Sequence, residues 1–405
     1  MAALLGIASL ARAQSVDWNA LPEMVSKTPA TAAALWKTQA VEARKGHLSR
    51  SLQPKIDLGI AGVAGAASSD GSYAPQPGST SAWVETSAEL GMNLWKGGQD
   101  RHKDDAFEAE AKAAAYDGAM GYAQRLSDAR RAWIEAWSES RRLEILSQVV
   151  EKSKENRQRA EKKANAGLTS QTDVMEFELR LQELDLEIAR SQERKDAALS
   201  QLAALLALNS SDMDLGAGLN SWPEAQIARE GAGLEELALS SESQARLSDA
   251  GAQGSWPFPS LDAGLRGLIG GPDTSLAGAQ GYEGRLGLSL SLWESGQASA
   301  ERNSFNLQSK ALDALARGAK REREVRVGFL LRRMDRWNGI SKGLGERLNL
   351  AEKFRDKVSQ EYARGVKDGR DLEGATQAVL EASSALVEAQ SAAWEAWSDL
   401  EKFKP

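Results

Sequence analysis

A handful of residues recur in this chain at one fixed spacing, and that recurrence limits the possible folds more than any other feature. Trp95 and Trp293, Gly98 and Gly296, Phe107 and Phe305, Gly167 and Gly365, and Asp173 and Asp371 all stand 198 residues apart. The segment Asn93-Leu-Trp-Lys-Gly-Gly98 returns as Ser291-Leu-Trp-Glu-Ser-Gly296. Earlier in each copy, Pro54-Lys-Ile-Asp-Leu-Gly returns as Pro259-Ser-Leu-Asp-Ala-Gly. One register kept over such a distance indicates two tandem copies of a structural unit longer than any solenoid repeat. The copies are expected at 14–209 and 234–405, joined by a linker at 210–233.

Proline placement gives the anatomy of each copy. None of the ten prolines lies between 78 and 222 or between 273 and 404. A proline inside a helix costs about 3 kcal/mol, so these gaps are where long helices can run. From Gln99 to Ala166 nothing forces a stop, which allows a rod of about 100 Å at 1.5 Å per residue. Turns at Gly167 and Gly365 then send a second helix back, giving helical hairpins over 99–209 and 297–403. In the first return helix Val174, Phe177, Leu181, Leu184 and Ile188 follow the 3-4-3-4 spacing of a coiled-coil seam. Leu372, Ala375, Val379, Ala382 and Leu386 repeat it in the second. The helix before Pro259 is expected to be shorter than the one before Pro54, because Gly251 and Gly254 interrupt its pattern.

Ahead of each long hairpin the period changes from 3.6 to 2. Val84, Thr86, Ala88, Leu90, Met92 and Leu94 alternate with Glu85, Ser87, Glu89, Gly91 and Asn93. Leu286, Leu288, Leu290 and Leu292 alternate with Arg285, Gly287, Ser289 and Ser291. Leu261, Ala263, Leu265 and Ile269 form a third such face, and Ile56, Leu58 and Ile60 a weaker fourth. Strands are therefore expected at about 54–66, 82–96, 259–270 and 282–294, two β-hairpins per chain. Their length matches a bilayer core, and apolar-out, polar-in alternation suits the wall of a water-filled barrel. A soluble sandwich shows the same alternation. The two readings separate on closure, because four strands cannot enclose an aqueous lumen and open backbone edges are not tolerated in lipid. Three copies would supply twelve strands. Parity puts Trp95 and Trp293 on the polar face, so they are expected to mark strand-to-helix packing rather than an aromatic girdle.

The remaining composition excludes more than it proposes. A net charge of -7 argues against a nucleic-acid partner. With no cysteine there is no disulfide, thiolate metal site or lipidated N-terminal Cys. The two histidines, His47 and His102, lie in polar helical stretches and form no acid–base or metal constellation. Gly97-Gly98 lacks the GxxxxGK context of a phosphate loop. No enzymatic activity, cofactor or metal is expected. Trp133/Trp137 and Trp394/Trp397 sit at helical spacing and read as packing residues. Residues 1–13, an apolar run ending in Ala11-Arg12-Ala13, resemble a truncated secretory signal whose basic n-region is missing.

Taken with the junction at Asn93–Gly98 and the tip pattern Ala-Gly167-Leu-x5-Val174, matched by Tyr362-Ala-Arg-Gly365, the chain resembles the TolC-type outer-membrane efflux family over most of 28–403. The fold class is then mainly α with β. The resemblance implies a homotrimer whose 12-stranded barrel in outer-membrane lipid continues into a periplasmic α-helical barrel. It implies an exit duct for efflux or type I secretion, opened when a periplasmic adaptor and an inner-membrane pump dock. It also implies residue roles. Asp173, Tyr362 and Lys367 match a lock between the hairpins, with Lys standing where the family often has Arg. Asp371 matches an acidic ring at the aperture, helped by Asp368, while Gly374 occupies the place of a second ring. Gly167, Leu168 and Thr169, with Gly365 and Val366, match the tips that adaptors grip. The alternative is a periplasmic adaptor or structural coiled-coil protein of an envelope complex. An adaptor, however, carries one hairpin, and this chain has two in register.

Overall fold

A computed structural model describes residues 14–46, 50, 53–65, 81–167, 170–209, 213–216, 219, 232–254, 259–269, 280–290 and 296–403. In chain order its elements are β1 (Gln14–Val16), a 3-10 turn (Trp18–Ala20), α1 (Leu21–Ser26), α2 (Pro29–Glu42), β2 (Lys55–Gly65), β3 (Ser81–Lys96), α3 (Gln99–Asn165) and α4 (Gln171–Leu206). There follow β4 (Met213–Leu215), α5 (Leu234–Gly254), β5 (Pro259–Ile269), β6 (Gln280–Leu290), α6 (Gln297–Ala363) and α7 (Gly369–Glu401). The signal-like segment, His47, Trp293, Leu168 and Thr169 lie outside the described residues. Helices α3 and α6 are each 67 residues long and begin at 99 and 297, the spacing read from the tryptophans and glycines. Among the described residues no helix is long and apolar enough to cross a membrane.

The chain divides into two compact units. One comprises Lys37–Tyr116 and Glu236–Arg317. It holds a four-stranded antiparallel sheet in the order β2-β3-β5-β6. The two expected hairpins are thus joined edge to edge through β3 and β5. Three of these strands are 11 residues long, the length a tilted strand needs to cross a bilayer core. Register sorts the residues into two faces. Ile56 pairs with Leu90, and Leu90 with Leu265, on one of them. On the other, Asp57 pairs with Glu89, Glu89 with Arg266, and Arg266 with Glu283. The apolar side chains are not buried: Leu58 is 80% exposed, Ile60 81% and Leu286 73%.

A bulge corrects one expectation. The β3–β5 register shifts between Asn93 and Trp95, so Asn93 pairs with Asp262 but Trp95 with Leu261. The inserted residue flips the parity. Trp95 therefore falls in phase with Leu90 and Met92 on the apolar face, where it is half exposed. Strict alternation had assigned it to the polar face. Immediately afterwards Gly97 and Gly98 take positive φ (60° and 86°) to turn the strand into α3, a conformation glycine adopts without steric cost.

A second correction concerns α5. It runs unbroken through Gly251 to Gly254 over 21 residues, where an interruption at Gly251 was expected. A glycine in a helix interior costs about 1 kcal/mol relative to alanine. Here it permits close packing, since a Cβ at Gly251 would lie 2.9 Å from Nδ1 of His102. Buried Ser243 and Ser309 meet at 2.9 Å between α5 and α6, and Arg44 stacks 4.5 Å over the ring of Phe107 while pairing with Glu110.

The other unit comprises Met1–Trp36, Asp117–Glu235 and Gly318–Pro405. Its centre is a tryptophan cluster. The Trp18 ring lies 5.4 Å from both Trp133 and Trp394, and Trp394 meets Trp397 edge-on at 5.5 Å. The expected tryptophan pairs are thus core residues. The short strands β1 and β4 pair in parallel beside them, so the linker read at 210–233 contributes a strand. Trp133 Nε1 donates to the Val16 carbonyl at 2.8 Å and ties β1 to α3. Further along, the expected seam is observed: Leu146, Val149 and Val150 of α3 bury Leu184 of α4 and Leu380 of α7, with Leu181 and Ile188 packed against them.

Candidate functional site at the hairpin turns

Both long hairpins turn within this second unit, and the sequence builds the two turns alike. Gly167 and Gly365 adopt φ of +70° and +77°, the left-handed conformation that terminates a helix. Each return helix then starts on a side-chain cap. The Ser170 Oγ accepts from the Asp173 amide at 3.3 Å, and Asp368 Oδ1 accepts from the Asp371 amide at 2.9 Å. Asp173 and Asp371 thus occupy the first turns of α4 and α7, where the helix dipole favours a carboxylate.

Behind the turns is a small apolar core of Ala160, Phe177, Val358, Tyr362, Leu372 and Ala375, with Val174 packed on it. It joins all four long helices. The Phe177 ring and Asp173 Cβ come so near Gly369 that a Cβ there would lie 3.2 Å from the ring. Tyr362 is only 2% exposed, and its hydroxyl has no hydrogen-bond partner among the described residues. Burial, and then the negative charge of Asp173, push that hydroxyl above the ordinary tyrosine range, opposed by Arg159. Lys367 pairs with Asp371 one turn along, at 3.2 Å, both side chains being partly exposed. Val366 is exposed at the apex.

Three contacts between the hairpins were not foreseen. Arg370 of α7 reaches Glu176 of α4 at 3.0 Å on the surface. Arg180 of α4 lies 3.0 Å from Glu373 of α7 and also bonds Gln377. Burial raises the Glu373 carboxyl above its usual range despite the arginine. Lys163, in the last turn of α3, lies 3.8 Å from the Tyr362 ring centroid and donates to the Tyr362 carbonyl. The signal for Lys163 was available, since a cation four residues before a helix-ending glycine is placed to meet carbonyl groups. Among the described residues no cluster of three histidines or carboxylates is arranged to hold a metal ion.

Comparison with solved structures places this architecture. No family model matches the chain, and no curated protein matches it by sequence. The CmeC outer membrane channel of Campylobacter jejuni superimposes with a TM-score of 0.82 at 15% identity, over 95% of this chain and 85% of that one. The outer membrane protein VceC of Vibrio cholerae does so at 0.81 and 15%, over 95% and 94%. The open state of the Neisseria gonorrhoeae MtrE outer membrane channel gives 0.77 and 16%, over 97% and 92%. This chain has the outer-membrane channel fold.

Proposed function

We propose that the chain is one protomer of a trimeric outer-membrane channel-tunnel, built from two tandem copies, that provides an exit duct for efflux or type I secretion. The observation that carries this reading is the sheet. Its apolar face is exposed, and β2 and β6 stand at its edges with one side of each unpaired among the described residues. A backbone edge in hydrocarbon leaves polar groups unsatisfied at several kcal/mol each. Pairing β6 of one copy with β2 of the next satisfies them, and three copies close twelve strands with the Asp57, Glu89, Arg266 and Glu283 positions toward the lumen. Trp95 then belongs to an aromatic girdle, a role the bulge makes available.

Helical surfaces support the same assembly. Leu307, Leu315, Val325, Phe329, Leu350 and Phe354 are all more than half exposed and fall on one stripe of α6. Met175, Leu179 and Leu186 form an exposed stripe on α4. At the turns, Asp173, Tyr362, Lys367, Asp371 and Asp368 would form the closed aperture. Gly167, Leu168, Thr169, Gly365 and Val366 would be the surface where a periplasmic adaptor, carrying an inner-membrane pump, docks.

The reading is tested on the full chain by fractionation and conductance. It should extract from the outer membrane as a heat-labile trimer that conducts cations in preference to anions. A soluble monomer, or one tracking with the inner membrane, would instead support the adaptor reading. Asp371→Ala should lower the cation preference, and unchanged selectivity would remove Asp371 from the aperture.

A further inference from the structure

We infer that Lys163 is the positioning residue that clamps the two hairpin turns together; this rests on the reading of the turns as a closable aperture. Lys163 ends α3 and Tyr362 ends α6, so their contact joins the first hairpin to the second. The ammonium group makes two attractive contacts at once. It sits 3.8 Å from the ring centroid of Tyr362, where the ring quadrupole attracts a cation. It also donates to the Tyr362 carbonyl, which lies in the last turn of α6 at the negative end of the dipole and accepts the Gly365 amide as well at 3.1 Å. Partial burial of Lys163 reduces the solvent screening of both contacts.

Arg180 of α4 also joins the hairpins through Glu373 of α7, but it stands thirteen residues past Gly167, further from the turns than Lys163. Lys367 is held by Asp371 within the first turn of α7, a contact that ties the second hairpin only to itself. Arg370 is almost fully exposed where it meets Glu176, and such a pair contributes little. Lys163 of the first hairpin grips the ring and the carbonyl of Tyr362.

The test uses the full chain in planar lipid bilayers and, separately, tryptic cleavage at Arg364 in the turn. Lys163→Met keeps the length and apolar stem but removes the charge. It should raise the open-to-closed ratio and the rate of cleavage at Arg364 by about three- to tenfold. Lys163→Arg should restore both. Unchanged behaviour of Lys163→Met, or failure of Arg to rescue it, would overturn the clamp. If the native chain makes no pore, the channel reading fails, while the cleavage rates still decide the role of Lys163.

Discussion

Ile60→Lys is expected to abolish the membrane-inserted, heat-labile oligomer, whereas Gly59→Lys, one residue away, is expected to leave it intact. Both positions lie on β2, an edge strand, and they point to opposite faces. Ile60 follows Leu58 on the apolar face and is 81% exposed within the chain. Gly59 follows Asp57, in the register of Glu89 and the other charged positions. A lysine at the bilayer midplane of a barrel costs about 2–4 kcal/mol on the lipid face. The same lysine on the lumen face meets water and carboxylates. Outer-membrane extracts run on gels before and after heating provide the measurement. A soluble sheet would give the opposite ordering only if its core lay on the Gly59 face. Equal tolerance of the two lysines would show that neither face meets lipid.

The alternation that makes this prediction possible was legible because a half-buried strand cannot hide its period. The strands found at 55–65, 81–96 and 259–269 lie within a residue of those expected, while β6 begins two residues early. The long helices were legible for a different reason. Proline is excluded from their interiors, so α3 and α6 end at 165 and 363, just before the glycines that terminate them.

What escaped prediction was decided by tertiary contacts. A bulge is a backbone event that leaves the residue pattern of 93–95 unchanged, so Trp95 was placed by a parity that the fold had already broken. Strands β1 and β4 have three residues each, too few to show a period, and they pair although far apart in sequence, Gln14 with Met213 and Val16 with Leu215. Gly251 looked like a helix breaker, yet the approach of His102 gives it a place inside α5. At the turns, the sequence could not say which charged residues would pair. Lys367 and Asp371 are four apart on the same segment, where proximity alone favours them over a partner on the other hairpin.

The second large effect is expected at Trp133. Its side chain is fully buried, its ring packs edge-on against Trp18, and its Nε1–H reaches the Val16 carbonyl at 2.8 Å. Truncation to alanine removes one of the largest buried side chains and leaves a cavity at the centre of the tryptophan cluster, a loss of about 3–5 kcal/mol. Trp133→Phe separates packing from polarity. It keeps most of the apolar volume and gives up only the indole hydrogen bond, and the Val16 carbonyl still accepts from the Gly216 amide at 3.1 Å. The phenylalanine variant should therefore lose about 1–2 kcal/mol, well under the alanine variant. Near-ultraviolet circular dichroism, to which the edge-on tryptophans contribute strongly, follows the thermal transition directly. The buried guanidinium of Arg130, stacked 4.7 Å over the Trp397 ring with Glu401 at 3.7 Å, depends on the same cluster for its surroundings. A cavity beside it admits water and relieves its desolvation, which offsets part of the loss. If Trp133→Ala and Trp133→Phe melt together, the hydrogen bond to β1 outweighs the packing, and the cluster does not anchor this unit.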